Sequence, residues 1–237
     1  MSQKLKKHRK IENHKKSNPL RDVILGGQDG LVNALGIILG VSAASSDIKI
    51  LIAAVIAATF AESLSMGAVA YTSAIAQRDF YESEKKKEID EVERVPDLER
   101  LEIREIYEKK GFKGKVLDEI VSTITADKKL WVDTMMAEEL KIEPVDTKQV
   151  LKSSAIVTVA TGIGHTIPLL PFFFLAHESG LITSVIISAL ALFAVGAYQA
   201  LTLVGSWWKY GMKMVMIGLA AAFIGYFIAS LFHANAI

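Results

Sequence analysis

The sequence contains no cysteine, which excludes disulfide bonds, thiolate metal sites and thiol nucleophiles and leaves the redox compartment open. It also lacks a phosphate-binding loop, a dinucleotide-binding fingerprint and the residues of a nucleophilic triad. The formal net charge is only +1, and no basic segment is interleaved with aromatic residues. We therefore expect neither an enzyme nor a protein that binds nucleic acid.

Charged residues are scarce outside one segment. Residues 78–149 hold 15 of the 27 Lys and Arg and 20 of the 26 Asp and Glu. The rest of the chain contains five stretches that reach the roughly 20 apolar residues needed to span a bilayer. These stretches are residues 23–44, 49–76, 153–175, 181–203 and 212–232. The sequence predicts an all-α polytopic membrane protein with five transmembrane helices and a helical, water-exposed insert.

The distribution of basic residues predicts the orientation in the membrane. The segment 1–22 is strongly basic and is not followed by a signal-peptide cleavage site, so we interpret it as a cytoplasmic tail. With an odd number of spans, the insert is then also cytoplasmic and Ile237 lies on the opposite side. The predicted segments are the tail 1–22, the first two spans 23–77, the insert 78–149 and the last three spans 150–237.

Helix-breaking and helix-capping residues predict the helices of the insert. The second span is too long for a bilayer and should continue to residue 94, before Pro96. Asp97 is predicted to cap a helix that ends at Gly111, and Asp127 a helix over 127–141, with a further helix over 114–125 between them. In the third span, Pro168 and Pro171 predict a kinked or broken backbone.

Only two acidic residues, Asp29 and Glu62, lie inside the predicted spans. Their distances from the span ends place them at a similar depth, and buried acids usually mark an ion pathway. Asn33 and Met66 fall on the same helix faces, so the set suits a soft-to-borderline divalent cation better than Ca²⁺ or Mg²⁺. The alternative is that the two carboxyls only hydrogen-bond across the bundle.

The insert contains acid pairs and adjacent methionines that could bind metal. Two E-x-x-E pairs place their acids on one helix face, and two thioethers precede a further glutamate. Alternatively, the acids form a solvated face and the methionines belong to a core. The candidate ligands are Glu88, Glu91, Glu99, Glu102, Met135, Met136 and Glu139.

Histidine is absent from the insert, so the Glu-x-x-His pairs of di-iron bundles cannot form there. This argues against a ferroxidase. His165, in the third span, could carry a proton or could be a packing residue, and the sequence does not decide between these roles.

Four short motifs, in this order along the chain, resemble those of the vacuolar iron transporter family. They are Gly26-Gly27-Gln28-Asp29-Gly30-Leu31-Val32-Asn33, Ser65-Met66, Met135-Met136-Ala137-Glu138-Glu139 and Ile167-Pro168-Leu169-Leu170-Pro171. The resemblance covers residues 20–232. It implies a five-span homodimer that exports Fe²⁺ from the cytoplasm in exchange for protons, with Asp29 and Met66 in the pore and the seven candidate ligands of the insert binding metal. One departure is Ala70, where many members carry an acid.

The sequence therefore predicts a proton-coupled antiporter for Fe²⁺, with Mn²⁺ as a second candidate ion and no prosthetic group. It would lie in a cell or vacuolar membrane. The alternative is a membrane-anchored metal buffer or sensor that does not transport.

Overall fold

The computed structural model describes residues 19–202 and 205–234, so most of the basic tail and the end of the predicted fourth span lie outside the described residues. Within them the chain forms α-helices, one 3₁₀ turn and no strand. The helices are α1 (Pro19–Ala44), α2 (Ile48–Arg94), α3 (Pro96–Lys109), α4 (Gly114–Thr125), α5 (Lys128–Glu138), α6 (Thr147–Leu169), α7 (His177–Thr202) and α8 (Trp207–Ala234), with the 3₁₀ turn Leu170–Phe173 after α6.

Five of these helices are long and apolar enough to cross a membrane: α1, α2, α6, α7 and α8. This confirms the predicted all-α fold with five spans. Large apolar side chains remain exposed on them, including Phe60 (68%), Leu64 (67%) and Leu201 (72%). Such surfaces are stable only against lipid or another apolar partner, because exposing them to water would be unfavourable.

The second helix, α2, runs unbroken for 47 residues and ends at Arg94. The predicted continuation of the second span to residue 94 is therefore confirmed. The helix ends there because Pro96 has no amide hydrogen to donate and disfavours helical geometry in the residue before it.

By its internal contacts the described chain divides into a compact unit at Thr72–Val150 and a second unit made of the remaining residues. The Thr72–Val150 unit has its own core, in which side chains of α3, α4, α5 and the end of α2 meet. Its most deeply buried members include Ile103, Val132, Met135 and Met136.

The capping predictions in this unit are partly wrong. The Asp127 carboxylate accepts hydrogen bonds from the amides of Lys129 and Leu130, so the predicted cap of α5 is present. Asp97 is not a cap: Val95 occupies that position, because Pro96 fits the first turn, where no amide hydrogen is needed. Helix α5 ends at Glu138 rather than at residue 141, and Lys141 has a φ of 55°, which cannot continue a helix.

The third span ends in a tighter helical turn near its prolines, where a kinked or broken backbone was predicted. Helix α6 contains Pro168 and passes into the 3₁₀ turn at Leu170. The Pro168 carbonyl oxygen accepts a hydrogen bond of 2.7 Å from the Ser184 hydroxyl of α7. A neighbouring helix thus satisfies a backbone group that lipid could not.

Hydroxyl groups along α6 are paired within the helix itself. The hydroxyls of Thr158 and Thr161 each donate to the carbonyl oxygen four residues earlier, at 2.9 Å. The Thr166 hydroxyl donates in the same way to the Gly162 carbonyl, at 2.8 Å. Such bonds satisfy the donors without water.

Candidate functional site

A cluster of polar side chains lies between the membrane-spanning helices α1, α2 and α6, with Glu62 at its centre. One Glu62 oxygen, Oε1, accepts a hydrogen bond from the Asn33 side-chain amide. The other, Oε2, lies 2.9 Å from Nε2 of His165. Asp29 lies within electrostatic range of both Glu62 and His165. The two acids predicted to lie at a similar depth are therefore close enough to influence each other.

The imidazole of His165 has a defined orientation. Its side chain is fully buried, and Nδ1 lies 3.1 Å from the Thr161 carbonyl oxygen. A carbonyl oxygen can only accept, so Nδ1 is the donor and Nε2 is directed towards Glu62. Thr161 was not among the sequence candidates, and the only signal for it is its position one helical turn before His165.

Met66 lies one turn beyond Glu62 on α2 and is half-buried. The Glu62 side chain is 25% exposed, whereas that of His165 is completely enclosed. The cluster is thus closed on the α6 side and more accessible on the α2 side.

Glycines allow α1 and α6 to approach closely enough for this cluster to form. A Cβ atom at Gly30 would lie 2.3 Å from the Thr161 carbonyl oxygen and 3.0 Å from Nδ1 of His165. A Cβ atom at Gly164 would lie 2.5 Å from the Gly27 carbonyl oxygen. Both distances are shorter than a van der Waals contact, so only glycine fits at either position.

We expect Gly30→Ala to push α1 away from α6 and to separate Asp29 and Asn33 from Glu62 and His165. Overpacking of this kind costs about 1–3 kcal/mol, so the melting temperature in detergent should fall measurably. The matched control is Gly36→Ala on the same helix, where a Cβ atom would meet nothing within 4 Å. That variant should be neutral or slightly more stable. Equal melting temperatures for the two variants would contradict the proposed close approach.

In the Thr72–Val150 unit, the predicted glutamates lie close enough to influence one another. Burial raises the pKa of Glu88 to about 7, and neighbouring carboxylates add to the effect. The same causes raise the pKa of Glu99 to about 7 and also raise that of Glu139. The interacting carboxyls are those of Glu88, Glu91, Glu99, Glu102 and Glu139.

Two of these acids are buried without a compensating partner. Glu88 is 6% exposed and Glu99 is 5% exposed, and the Oε2 atom of each has no hydrogen-bond partner. Burying a carboxyl in this way is unfavourable unless a proton or a cation neutralises it. The cluster is therefore a place where a cation would relieve unfavourable electrostatics.

The two candidate methionines lie in the core of the same unit. Met135 is 0% and Met136 1% exposed, and both pack in a cluster that includes Ile103 and Trp131. In the described ranges 19–202 and 205–234, no three His, Asp or Glu side chains form an arrangement ready to hold a metal ion. Metal binding by the cluster around Glu62, or by the glutamates of the Thr72–Val150 unit, would thus require local movement of side chains.

Comparison with known proteins relates this architecture to a family. The model of the VIT family matches residues 20–230. Vacuolar iron transporter 1 of Arabidopsis thaliana is 34% identical over 178 residues, which are 75% of this chain and 71% of the plant protein. The Eucalyptus grandis vacuolar iron transporter 1 is 31% identical over 204 residues, covering 86% and 82% of the two chains. The vacuolar iron transporter of Plasmodium falciparum (isolate 3D7) is 33% identical over 168 residues, covering 70% and 61%.

The family match extends through the membrane-spanning helices and through the Thr72–Val150 unit, which we call the acidic unit. It confirms the family predicted from the motifs around Asp29, Met66 and Pro168. The chain therefore belongs to the VIT family, a family of transporters rather than enzymes.

Proposed function

We propose that this protein carries Fe²⁺ out of the cytoplasm across a membrane in exchange for protons. The observation that carries the proposal is the contact of Glu62 with His165, with Asp29 in electrostatic range of both, inside membrane-spanning helices. Ionisable groups at that depth are unfavourable and usually mark an ion pathway. The names of the relatives, vacuolar iron transporters, support iron as the ion.

The donor set favours a transition ion. Asp29 and Glu62 supply carboxylate oxygens, the Asn33 amide oxygen remains available while its nitrogen binds Glu62, and Met66 offers a thioether. Carboxylates alone would bind Ca²⁺ or Mg²⁺, whereas the sulfur favours Fe²⁺ and similar ions. Mn²⁺ is the second ion that we propose as a substrate.

The same proximity supports proton exchange. Two carboxylates that lie near each other inside a membrane repel, so a bound proton or a bound metal ion relieves the repulsion. A divalent ion that binds both Asp29 and Glu62 would have to displace this proton. The acids thus support transport over the alternative of a membrane-anchored buffer, for which buried acids in the spans would have no use.

We further propose that the acidic unit faces the cytoplasm and concentrates divalent cations there before transport. Its five clustered carboxyls would attract any divalent cation, an effect that salt screens. We also propose a homodimer. Support comes from the resemblance and from α2, whose apolar residues Phe60 and Leu64 remain largely uncovered by the rest of the chain.

The decisive experiment is metal uptake into sealed vesicles that contain only this protein. Transport predicts that Fe²⁺ enters the vesicles and that protons move in the opposite direction, reported by a trapped pH dye. A buffer or sensor would bind Fe²⁺ without changing the internal metal concentration. Binding without uptake would overturn the proposal.

The orientation can be tested because the chain has no cysteine. Positive residues bias segments towards the cytoplasm, so Ser179, at the start of α7, should lie on the opposite side. We expect Ser179→Cys to react with an impermeant maleimide only from the non-cytoplasmic side. A cysteine at Glu108, in the acidic unit, should react only from the cytoplasmic side. The reverse labelling pattern would contradict this orientation.

The role of Met135 and Met136 can be separated from their packing. Exchange of both for leucine keeps volume and apolarity, so the core should survive with a loss of less than about 1.5 kcal/mol each. If the sulfurs bind metal, the double variant should lose Fe²⁺ and Co²⁺ affinity while its weak Ca²⁺ binding hardly changes. Calorimetric titration checks this. Unchanged Co²⁺ affinity in a folded double variant would identify the methionines as core residues only.

A further inference from the structure

We propose that Nε2 of His165 is a direct ligand of the transported ion and makes the pathway select transition ions over Mg²⁺ and Ca²⁺. This inference rests on the proposed transport function and adds a nitrogen donor to its pathway.

The first observation is the tautomer of His165. Because Nδ1 donates to the Thr161 carbonyl oxygen at 3.1 Å, the neutral ring has its lone pair on Nε2. Metal-binding histidines commonly hold the other ring nitrogen in such a bond, which fixes the ring and raises its basicity. The ring is fully buried, so this orientation is fixed by packing.

The second observation is what Nε2 faces. It makes no hydrogen bond of good geometry, yet Oε2 of Glu62 lies 2.9 Å away. Two atoms that both present lone pairs at this distance repel each other unless a cation, either a proton or a metal ion, neutralises them. Bonds of about 2.1 Å place two adjacent ligands of an octahedral ion about 3.0 Å apart. The spacing of Nε2 and Oε2 therefore already suits one shared ion.

The third observation is the chemistry of the surrounding groups. Asp29, Asn33 and Glu62 offer oxygen, which hard ions use as well as transition ions. Imidazole nitrogen instead suits Fe²⁺ and the later transition ions far better than Mg²⁺ or Ca²⁺. A histidine that served packing alone would have no reason to direct a lone pair at the one acid that α2 brings into the cluster.

The test uses the full-length protein with Mn²⁺ as a spectroscopic probe. The chain has five histidines, none of them in the acidic unit. Replacing the other four, His8, His14, His177 and His233, by asparagine leaves His165 as the sole source of imidazole. Pulsed electron paramagnetic resonance of bound Mn²⁺ should then detect coupling to an imidazole ¹⁴N nucleus. The coupling should vanish when His165→Asn is added to this background.

Selectivity provides the second readout. In vesicles, His165→Gln should reduce Fe²⁺ uptake at least tenfold and make the remaining uptake more sensitive to inhibition by excess Mg²⁺. His177→Asn, a change outside the cluster, should leave both quantities unchanged. If the variant with His165→Asn does not fold, the variant that keeps His165 and lacks the other four histidines still shows whether this imidazole binds Mn²⁺.

If the variant that lacks the other four histidines transports Fe²⁺ but shows no nitrogen coupling, the inference is overturned and the proposed function stays intact. Loss of uptake in His165→Gln without any coupling in its parent would make His165 a positioning residue for Glu62, which also overturns it. Failure of the unaltered protein to transport would instead remove the proposed function.

Discussion

Asp29→Asn is expected to reduce Fe²⁺ uptake into vesicles to the level of protein-free vesicles, while the protein remains folded. Asparagine keeps the size and hydrogen-bonding capacity of the side chain but removes the charge that a divalent ion needs. It also removes a carboxyl group that could bind a proton beside Glu62. The expected loss is at least a hundredfold, measured as initial uptake rate per folded protein.

The matched control for this substitution is Asp79→Asn on α2. Asp79 is 62% exposed and pairs only with the adjacent Arg78 in the described structure, and exposed pairs of this kind contribute little. Its variant should transport at the normal rate. Uptake by Asp29→Asn that matched this control would show that the acid does not lie on the ion path.

Replacing Glu88 and Glu99 together by glutamine is expected to abolish tight metal binding by the acidic unit and, at the same time, to stabilise that unit. Both acids are buried with an unpartnered oxygen, so the wild-type unit tolerates an unfavourable arrangement that a cation would relieve. Glutamine removes the charge and keeps the shape. At pH 8 the affinity for Mn²⁺ should fall at least tenfold in calorimetric titration.

The stability effect has a definite pH dependence. The pKa of each acid is about 7 in the folded unit, against an ordinary value of 4.5, so the folded state binds protons more tightly than the unfolded state. The contribution of these two acids to stability is thus largest below about pH 4.5 and is lost as the pH rises to about 7, by about 1.4 kcal/mol for each pK unit at most. The double variant should lack this decline.

Hydrogen exchange of the α3 and α5 amides in the full-length protein measures this difference, after correction for the intrinsic rate at each pH. Glu105→Gln with Glu119→Gln, two exposed acids of the same unit, is the control and should behave like the wild type. A pH dependence that survived in the Glu88 and Glu99 double variant would contradict the assignment of the raised pKa values to these two residues.

Part of this architecture follows directly from the sequence. The five spans were predictable because apolar runs of about 20 residues have few other stable environments, and α2 because nothing before Pro96 interrupts it. Asp29 and Glu62 were predictable as a pair because they are the only acids in those runs. The prediction that Asp97 caps α3 was wrong because two helix-start signals, a proline and an acid, are adjacent in the sequence. The proline occupies the first turn, so the cap lies before it.

The contact of His165 with Glu62 was not predictable from the sequence. It depends on the rotation of α6 about its own axis, which is set where Gly30 and Gly164 let two backbones meet. Spacing along a chain gives the face of one helix but not which neighbour that face meets. For the same reason, the sequence could not show whether Met135 and Met136 are buried core residues or metal ligands.

The threonines of α6 determine which hydrogen-bonding groups this helix could offer to a passing ion. A count of polar residues along this helix would indicate a broad aqueous channel, with a hydroxyl on almost every turn. Because Thr158, Thr161 and Thr166 donate their hydrogens to their own helix, these hydroxyls cannot donate to any other group and can only accept through their oxygen lone pairs. A route along this helix would then favour a cation over an anion, because its threonine hydroxyls could accept but not donate.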